Sequence, residues 1–269
     1  IADESEAIAA LALQGPLSRS VLEAATGEDF ADLRYFRRRP AAFRVGRSRV
    51  AVDVSRTGYT GDLGYEIWAP WENAVRVWDA LMEGGRAFDI HAAGMLALDV
   101  ARVEAGLLLI DVDFNGSKKA LVESQKYTPY EMGLGRLVSL DKARYVGQAA
   151  LAAEQKRGHA REIVGLEIDW NGIEAVYDKA GLPPAMPAAA SRVAVPVYRD
   201  GAQVGKATST TWSPVLKKMI ALATIDRGAN SPGTRVDIEM TVEAVRHRVR
   251  ATVVQTPFFN PSRKTATPV

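Results

Sequence analysis

Three glycines, at positions 58, 61 and 64, interrupt the run Ser55-Arg56-Thr57-Gly58-Tyr59-Thr60-Gly61-Asp62-Leu63-Gly64-Tyr65-Glu66-Ile67-Trp68. Glycine allows positive φ and close backbone approach, so this spacing predicts a tight, shaped loop between two strands. The incoming strand, 49–54, places Val50, Val52 and Val54 on one face. The outgoing strand places Tyr65 and Ile67 on one face and Glu66 and Trp68 on the other. A carboxylate thus shares a face with an indole. From spacing alone two readings stand open: Glu66 is half exposed or paired with a nearby Arg, or it is held there for a ligand that satisfies it.

Around this hairpin the chain reads as mixed helix and strand. Residues 8–13 form a short apolar run expected to be a buried strand, and Pro16 opens a helix that Gly27 stops. Arg37-Arg38-Arg39 reads as a solvated loop cluster, and 41–45 pairs with 49–54 across Gly46-Arg47-Ser48. From Pro70 a helix is expected to bury Trp71, Ala74, Val75, Trp78, Leu81 and Met82, ending at Gly84-Gly85. A second helix over 93–105 ends at Gly106, with Asp99 and Arg102 three apart and spaced to form a weak pair with each other. Asp111 and Asp113 lie in a turn with little to support a metal role. A strand is expected over 136–140 and an Ala-rich helix over 147–157. From Glu162 alternation begins, and strands near 193–198, 202–208, 219–225, 234–240 and 245–254 predict a small barrel or sandwich. Residues 182–190 are a long connection. These patterns place a domain boundary near 158–162.

Composition removes several chemistries. The 269 residues contain no cysteine, which excludes disulfides, cysteine–zinc sites and thiol catalysis. The three histidines, His91, His159 and His247, lack metal-ligand spacing. No run approaches the roughly 18 apolar residues that span a bilayer, and no leader pattern is visible, so a cytoplasmic location without membrane attachment is expected. The net charge is +2, and residues 161–269 hold 14 Lys and Arg against 10 Asp and Glu. Arg246, Arg248 and Arg250 share a strand face, but without aromatic interleaving they read as solvated, and no nucleic acid partner is expected.

The run SRTGYTGDLGYEI resembles the central motif of the glycine-cleavage T-protein family, usually written SRTGYTGEDGFEI. The similarity continues at Ala101-Arg102-Val103-Glu104-Ala105-Gly106-Leu107 and at Tyr145-Val146-Gly147-Gln148-Ala149-Ala150-Leu151. It resumes at Val204-Gly205, Thr208-Ser209, Ser213-Pro214 and Ile220-Ala221-Leu222-Ala223, and includes Leu11-Ala12-Leu13-Gln14-Gly15-Pro16. It covers nearly the whole chain in order. The resemblance implies an α+β fold: the C-terminal portion of a folate-binding T-protein-like domain over 1–160, followed by a C-terminal antiparallel β-barrel domain over 161–269.

The implied activity is tetrahydrofolate-dependent one-carbon transfer, aminomethyl or methyl, to N5 of the cofactor. Glu66 matches the family's pterin-binding glutamate, Tyr59 matches its folate-contacting tyrosine, and Trp68 could add a wall to the pterin slot. The donor would be a small molecule or a carrier-bound group, with a lipoylated carrier protein as partner in the T-protein itself. No catalytic residue follows from the motifs. The family's catalytic aspartate precedes the segment that Ile1 opens, so an N-terminal segment or separate polypeptide is expected to complete the site.

Departures keep the subfamily open. Leu98 stands where T-proteins carry a folate-contacting Arg, Leu107 and Arg136 replace aromatic positions, and Asp62-Leu63 resembles the folate domains of sarcosine and dimethylglycine dehydrogenases. Leucine offers no donor, so the donor chemistry leans towards a methyl or other one-carbon group. The alternatives are therefore a demethylase component, a folate domain serving a flavin dehydrogenase, or a non-catalytic folate-binding relative. The iron–sulfur-maturation relatives carry a cysteine that this chain lacks.

Overall fold

The structure, a computed structural model, describes residues 2–266. Ile1, where the expectation of a preceding segment rests, lies outside the described residues. The chain packs as two compact units: residues up to 101 together with the tail from 259, and residues 102–258.

The first unit is built on a four-stranded antiparallel sheet of β1 (Ile8–Gln14), β2 (Arg38–Val45), β3 (Ser48–Ser55) and β4 (Gly64–Pro70), in the order β1-β4-β3-β2. The valine alternation forms as expected, with Val50, Val52 and Val54 buried against Phe43, Tyr65 and Ile67. Two helices, α1 (Ser18–Thr26) and α2 (Ala74–Gly85), complete this core through Val21, Leu22, Val77 and Leu81. Gly27 closes α1 in the left-handed conformation, at φ 72°.

Four local expectations are corrected here. Strand β1 is an edge strand with alternating burial, and Ile8 is 42% exposed. Of the arginine cluster, Arg37 is exposed outside the strands as expected, but Arg38 and Arg39 open β2: Arg39 pairs with Glu28 at 3.2 Å and covers the Phe30 ring, and Arg38 pairs with Asp53 at 2.8 Å. In α2 the buried stripe is Val77, Leu81 and Gly85, whereas Val75 and Trp78, and Trp71 in the 3-10 turn before the helix, are exposed. Both faces of this segment are apolar, and the face spaced four apart and ending in glycine is the one that approaches the sheet. Residues 136–140 contain a 3-10 turn at Gly135–Leu137 in place of a strand; Leu137 is exposed and no neighbouring strand supplies a ladder.

The second unit takes the C-terminal end of α3 (Met95–Glu104), the helix α4 (Gln148–Arg157) and a closed antiparallel barrel. The barrel strands are β5 (Arg161–Ile168), β6 (Val195–Arg199), β7 (Ala202–Ser213), β8 (Lys218–Asp226), β9 (Arg235–Val242) and β10 (Val245–Val254). They close in the order β10-β5-β8-β7-β6-β9. The run Met219–Ile225 is buried throughout. Ala221, Ala223 and Ile225 fill the interior with Leu166, Val236 and Val253, while Ile220 and Leu222 pack outward on Val103. Small residues at the inner positions suit the taper of a small barrel. One helix escapes the alternation argument: α5 (Trp170–Lys179), whose N-cap Asp169 accepts from the Gly172 amide at 3.2 Å. Its Ile173 and Val176 join the barrel core. The arginine face of β10 is solvated as expected, with Arg250 on Asp237, Arg246 on Glu239 and Arg248 over the Tyr198 ring.

Candidate functional site

Pairing of β4 between β1 and β3 decides what surrounds Glu66. Its cross-strand neighbours are Ala12 on β1 and Ser55 on β3, and those of Trp68 are Ala10 and Asp53. Small residues on the β1 side leave the Glu66–Trp68 face open to solvent, with Trp68 43% exposed and Glu66 half-buried.

A relay of side-chain hydrogen bonds organises this face. The Trp68 indole N–H donates to Ser55 Oγ at 3.4 Å, Ser55 and Thr57 hydroxyls lie 3.1 Å apart, and Thr57 Oγ1 donates to Glu66 Oε2 at 2.6 Å. One carboxylate oxygen is thereby fixed. No lysine or arginine pairs with Glu66 among the described residues, so within the first reading the carboxylate is half exposed and the arginine pair does not form. A carboxylate oriented through one oxygen can accept from the N–H donors of a flat heterocycle, and the adjacent indole offers an aromatic wall. Tyr59 lies two residues beyond Thr57 on the same loop, half-buried.

The loop owes its shape to Gln14, which motif reading passed over. Its amide donates to the Thr57 and Tyr65 carbonyls, each at 3.3 Å, and accepts from Thr60 Oγ1 at 2.9 Å. A Cβ on Gly58 or Gly64 would meet the Gln14 amide at 2.0 and 2.2 Å. Those two glycines therefore exist to admit this side chain. The spacing of Gln14 before Gly15-Pro16 was visible, but nothing local shows that it bridges to residues more than forty positions on.

Arg56 was also missed. It is fully buried, and its guanidinium donates to the carbonyls of Leu33 at 3.2 Å, Arg263 at 3.1 Å, Lys264 at 3.3 Å and Ala266 at 2.6 Å. Next to it the Tyr65 hydroxyl is buried without a hydrogen-bond partner. Burial pushes the Tyr65 hydroxyl above its ordinary pKa, and the nearby Arg56 charge opposes this.

A cavity of about 550 Å³ in the same unit is lined by Leu11, Leu13, Trp78, Phe88, Ile90 and Leu98, with Gln14 and Thr60 at its wall. None of Glu66, Trp68 and Tyr59 lines it. The carboxylate face and the apolar cavity are thus separate, joined through the Gln14–Thr60 contact. Leu98 contributes apolar surface there.

In the second unit Arg102 is fully buried and is held by Asp113. Its guanidinium meets Asp113 Oδ2 at 2.6 Å and Ser209 Oγ at 2.8 Å, while Asp113 Oδ1 accepts from Thr208 and Ser209, both at 2.7 Å. The Leu109 amide donates to Asp113 at 2.8 Å. Every strong acceptor of this carboxylate is engaged, which makes the network a structural lock on the barrel. No group of three or more His, Cys, Asp or Glu with metal-binding geometry occurs among the described residues, and among them no helix is long and apolar enough to cross a membrane.

Comparison with known proteins agrees with the fold. Residues 1–142 match the model of the GCVT N-terminal domain, and residues 179–260 match that of the glycine cleavage T-protein C-terminal barrel domain. The chain is similar to an aminomethyltransferase of Caldanaerobacter subterraneus subsp. tengcongensis, 32% identical over 265 residues, covering 98% of this chain and 62% of that protein. An aminomethyltransferase of Bacillus cereus is 33% identical over 264 residues, covering 98% and 63%. The chain therefore spans somewhat less than two thirds of the length of these relatives. A crystal structure of glycine cleavage system aminomethyltransferase T from Bartonella henselae shares the fold, with a TM-score of 0.61 at 18% identity over 94% of this chain and 84% of that one. With more than half of its residues matched by the N-terminal domain model and the barrel matched separately, the chain belongs to the glycine cleavage T-protein family.

Proposed function

We propose that this chain is the folate-binding and barrel portion of a tetrahydrofolate-dependent aminomethyltransferase, with residues 1–160 contributing to the folate domain. The observation that carries the reading is Glu66: a carboxylate held by Thr57, with no cation paired to it among the described residues, beside an exposed indole in the family's central motif. Bound tetrahydrofolate would supply N5 as the acceptor of the one-carbon unit. Glu66 would accept from pterin N–H groups, Trp68 would cover one face of the ring, and Tyr59 would close on it from the loop. These residues orient and exclude water; none of them is assigned the proton transfer.

The similarity to aminomethyltransferases favours an aminomethyl donor presented on the lipoyl arm of a carrier protein. Leu98 supports a second reading. An apolar side chain in the cavity wall gives a donor carboxylate nothing to bind, which suits an N-methyl or other neutral methyl donor. Both readings are tested by following tetrahydrofolate-dependent transfer from an aminomethylated lipoyl carrier and from N-methyl, O-methyl and S-methyl donors. Turnover with the carrier alone selects the first reading and turnover with a methyl donor alone selects the second. No transfer from any of them, with folate bound, refutes both.

A further inference from the structure

We propose that Arg263 is a positioning residue for the glycine loop, clamping it from the C-terminal tail through Asp62. Arg263 stands in a short 3-10 turn, Ser262–Lys264, and reaches both oxygens of Asp62, Nε to Oδ1 at 2.6 Å and Nη2 to Oδ2 at 2.7 Å. Such a two-pronged contact fixes direction as well as distance. Asp62 lies between the second and third glycines of the loop and accepts from the Leu63 amide through the same Oδ1.

The tail is held in return by the loop's own first residues. Arg56 immediately precedes Thr57, and its buried guanidinium gathers the carbonyls of Arg263, Lys264 and Ala266. Two arginines therefore cross in opposite senses: Arg56 of the loop grips the tail backbone, and Arg263 of the tail grips the loop carboxylate. Between strands β3 and β4 the loop is anchored at its ends by backbone hydrogen bonds, Arg56 with Phe36 and Arg37 and Leu63 with Gly15, and side chains hold the part between them. Gln14 holds it on the β1 side, at Thr57 and Thr60, and Arg263 holds it at Asp62.

The consequence for binding rests on the folate reading above. Thr57, which orients Glu66, and Tyr59 both ride on this loop. A loop freed at Asp62 would have to be ordered again by each ligand that binds, which lowers affinity without touching a ligand contact. The Arg263 side chain is engaged by Asp62 and needs no place in the pterin slot.

The clamp is tested by hydrogen–deuterium exchange of the unliganded protein together with tetrahydrofolate titration, in Arg263→Gln, Arg263→Lys and the reciprocal pair Asp62→Arg/Arg263→Asp. Losing a partly exposed ion pair of this kind corresponds to a factor of about five. Arg263→Gln is expected to exchange amides of residues 57–64 about fivefold faster, with the sheet amides of 48–55 unchanged, and to weaken folate binding by a similar factor. Arg263→Lys recovers only part, because one ammonium does not span both oxygens, and the reciprocal pair moves exchange back towards wild type. Unchanged exchange over 57–64 in Arg263→Gln overturns the proposal whatever the titration shows. Faster exchange in a protein that binds no folate upholds the clamp and removes the folate reading instead.

Discussion

Thr57 and Glu66, nine residues apart across the glycine loop, meet in a 2.6 Å hydrogen bond that fixes one oxygen of a carboxylate with no cation partner among the described residues. The relay behind Thr57, through Ser55 to the Trp68 indole, ties the carboxylate and the aromatic wall into one unit. Replacing Thr57 by Val keeps the shape and removes the donor. Thr57→Val is expected to weaken tetrahydrofolate binding about threefold to tenfold by calorimetry, less than loss of the carboxylate itself, with little change in Tm. An affinity equal to wild type would show that Glu66 needs no such support.

Gln14 and Gly64 are a matched pair. In Gly64→Ala the new Cβ would lie 2.2 Å from Gln14 Oε1, so the amide must leave and give up its contacts with Thr57, Thr60 and Tyr65. The expected cost is about 1–2 kcal/mol in urea unfolding. Because the cost acts through Gln14, adding Gln14→Ala to this variant should destabilise it little further. Full additivity of the two substitutions would mean that they do not share a cause.

Tyr65 buries a hydroxyl that finds no partner. Tyr65→Phe removes it without a cavity of consequence and is expected to stabilise the protein by about 1 kcal/mol. The same burial raises the hydroxyl's pKa above its unfolded value near 10. The unfolded chain then loses this proton first as pH rises, so the contribution of Tyr65 is intact below pH 10 and is lost progressively above it. Thermal melts at pH 7 and at about pH 10.5 check both parts: the advantage of Tyr65→Phe should widen at the higher pH. An advantage that shrinks there would contradict the assigned burial effect.

The sequence made the sheet and barrel readable where one period dominated. Val50, Val52 and Val54 alternate without competition, and the barrel strands are separated by turn signals such as Asp200-Gly201, both at positive φ. It misled where two periods overlapped. In α2 the tryptophan stripe and the Val77–Leu81 stripe are equally apolar, and only the approach to the sheet selects between them. Helix α5 was hidden because Trp170 extends the alternation of β5, although Asp169 was available as a capping signal. Glu66, Trp68 and Tyr59 could be singled out as candidates because the motif is contiguous. Gln14, Arg56 and the Asp62–Arg263 pair could not, because each acts over a separation that no local pattern encodes. Arg102 shows the same limit, since its Asp113 lies in an irregular turn and its Ser209 on a strand 107 residues away.

The most direct measurement is a calorimetric titration of tetrahydrofolate into the wild-type protein and into Glu66→Ala, both confirmed as folded by circular dichroism. A hydrogen bond to a charged group corresponds to about 10- to 150-fold in affinity. Saturable binding by wild type, with Kd raised by a factor in that range in Glu66→Ala, is the predicted result. Equal affinity in the two proteins, or no binding by wild type, would contradict the assignment of Glu66 as the pterin carboxylate.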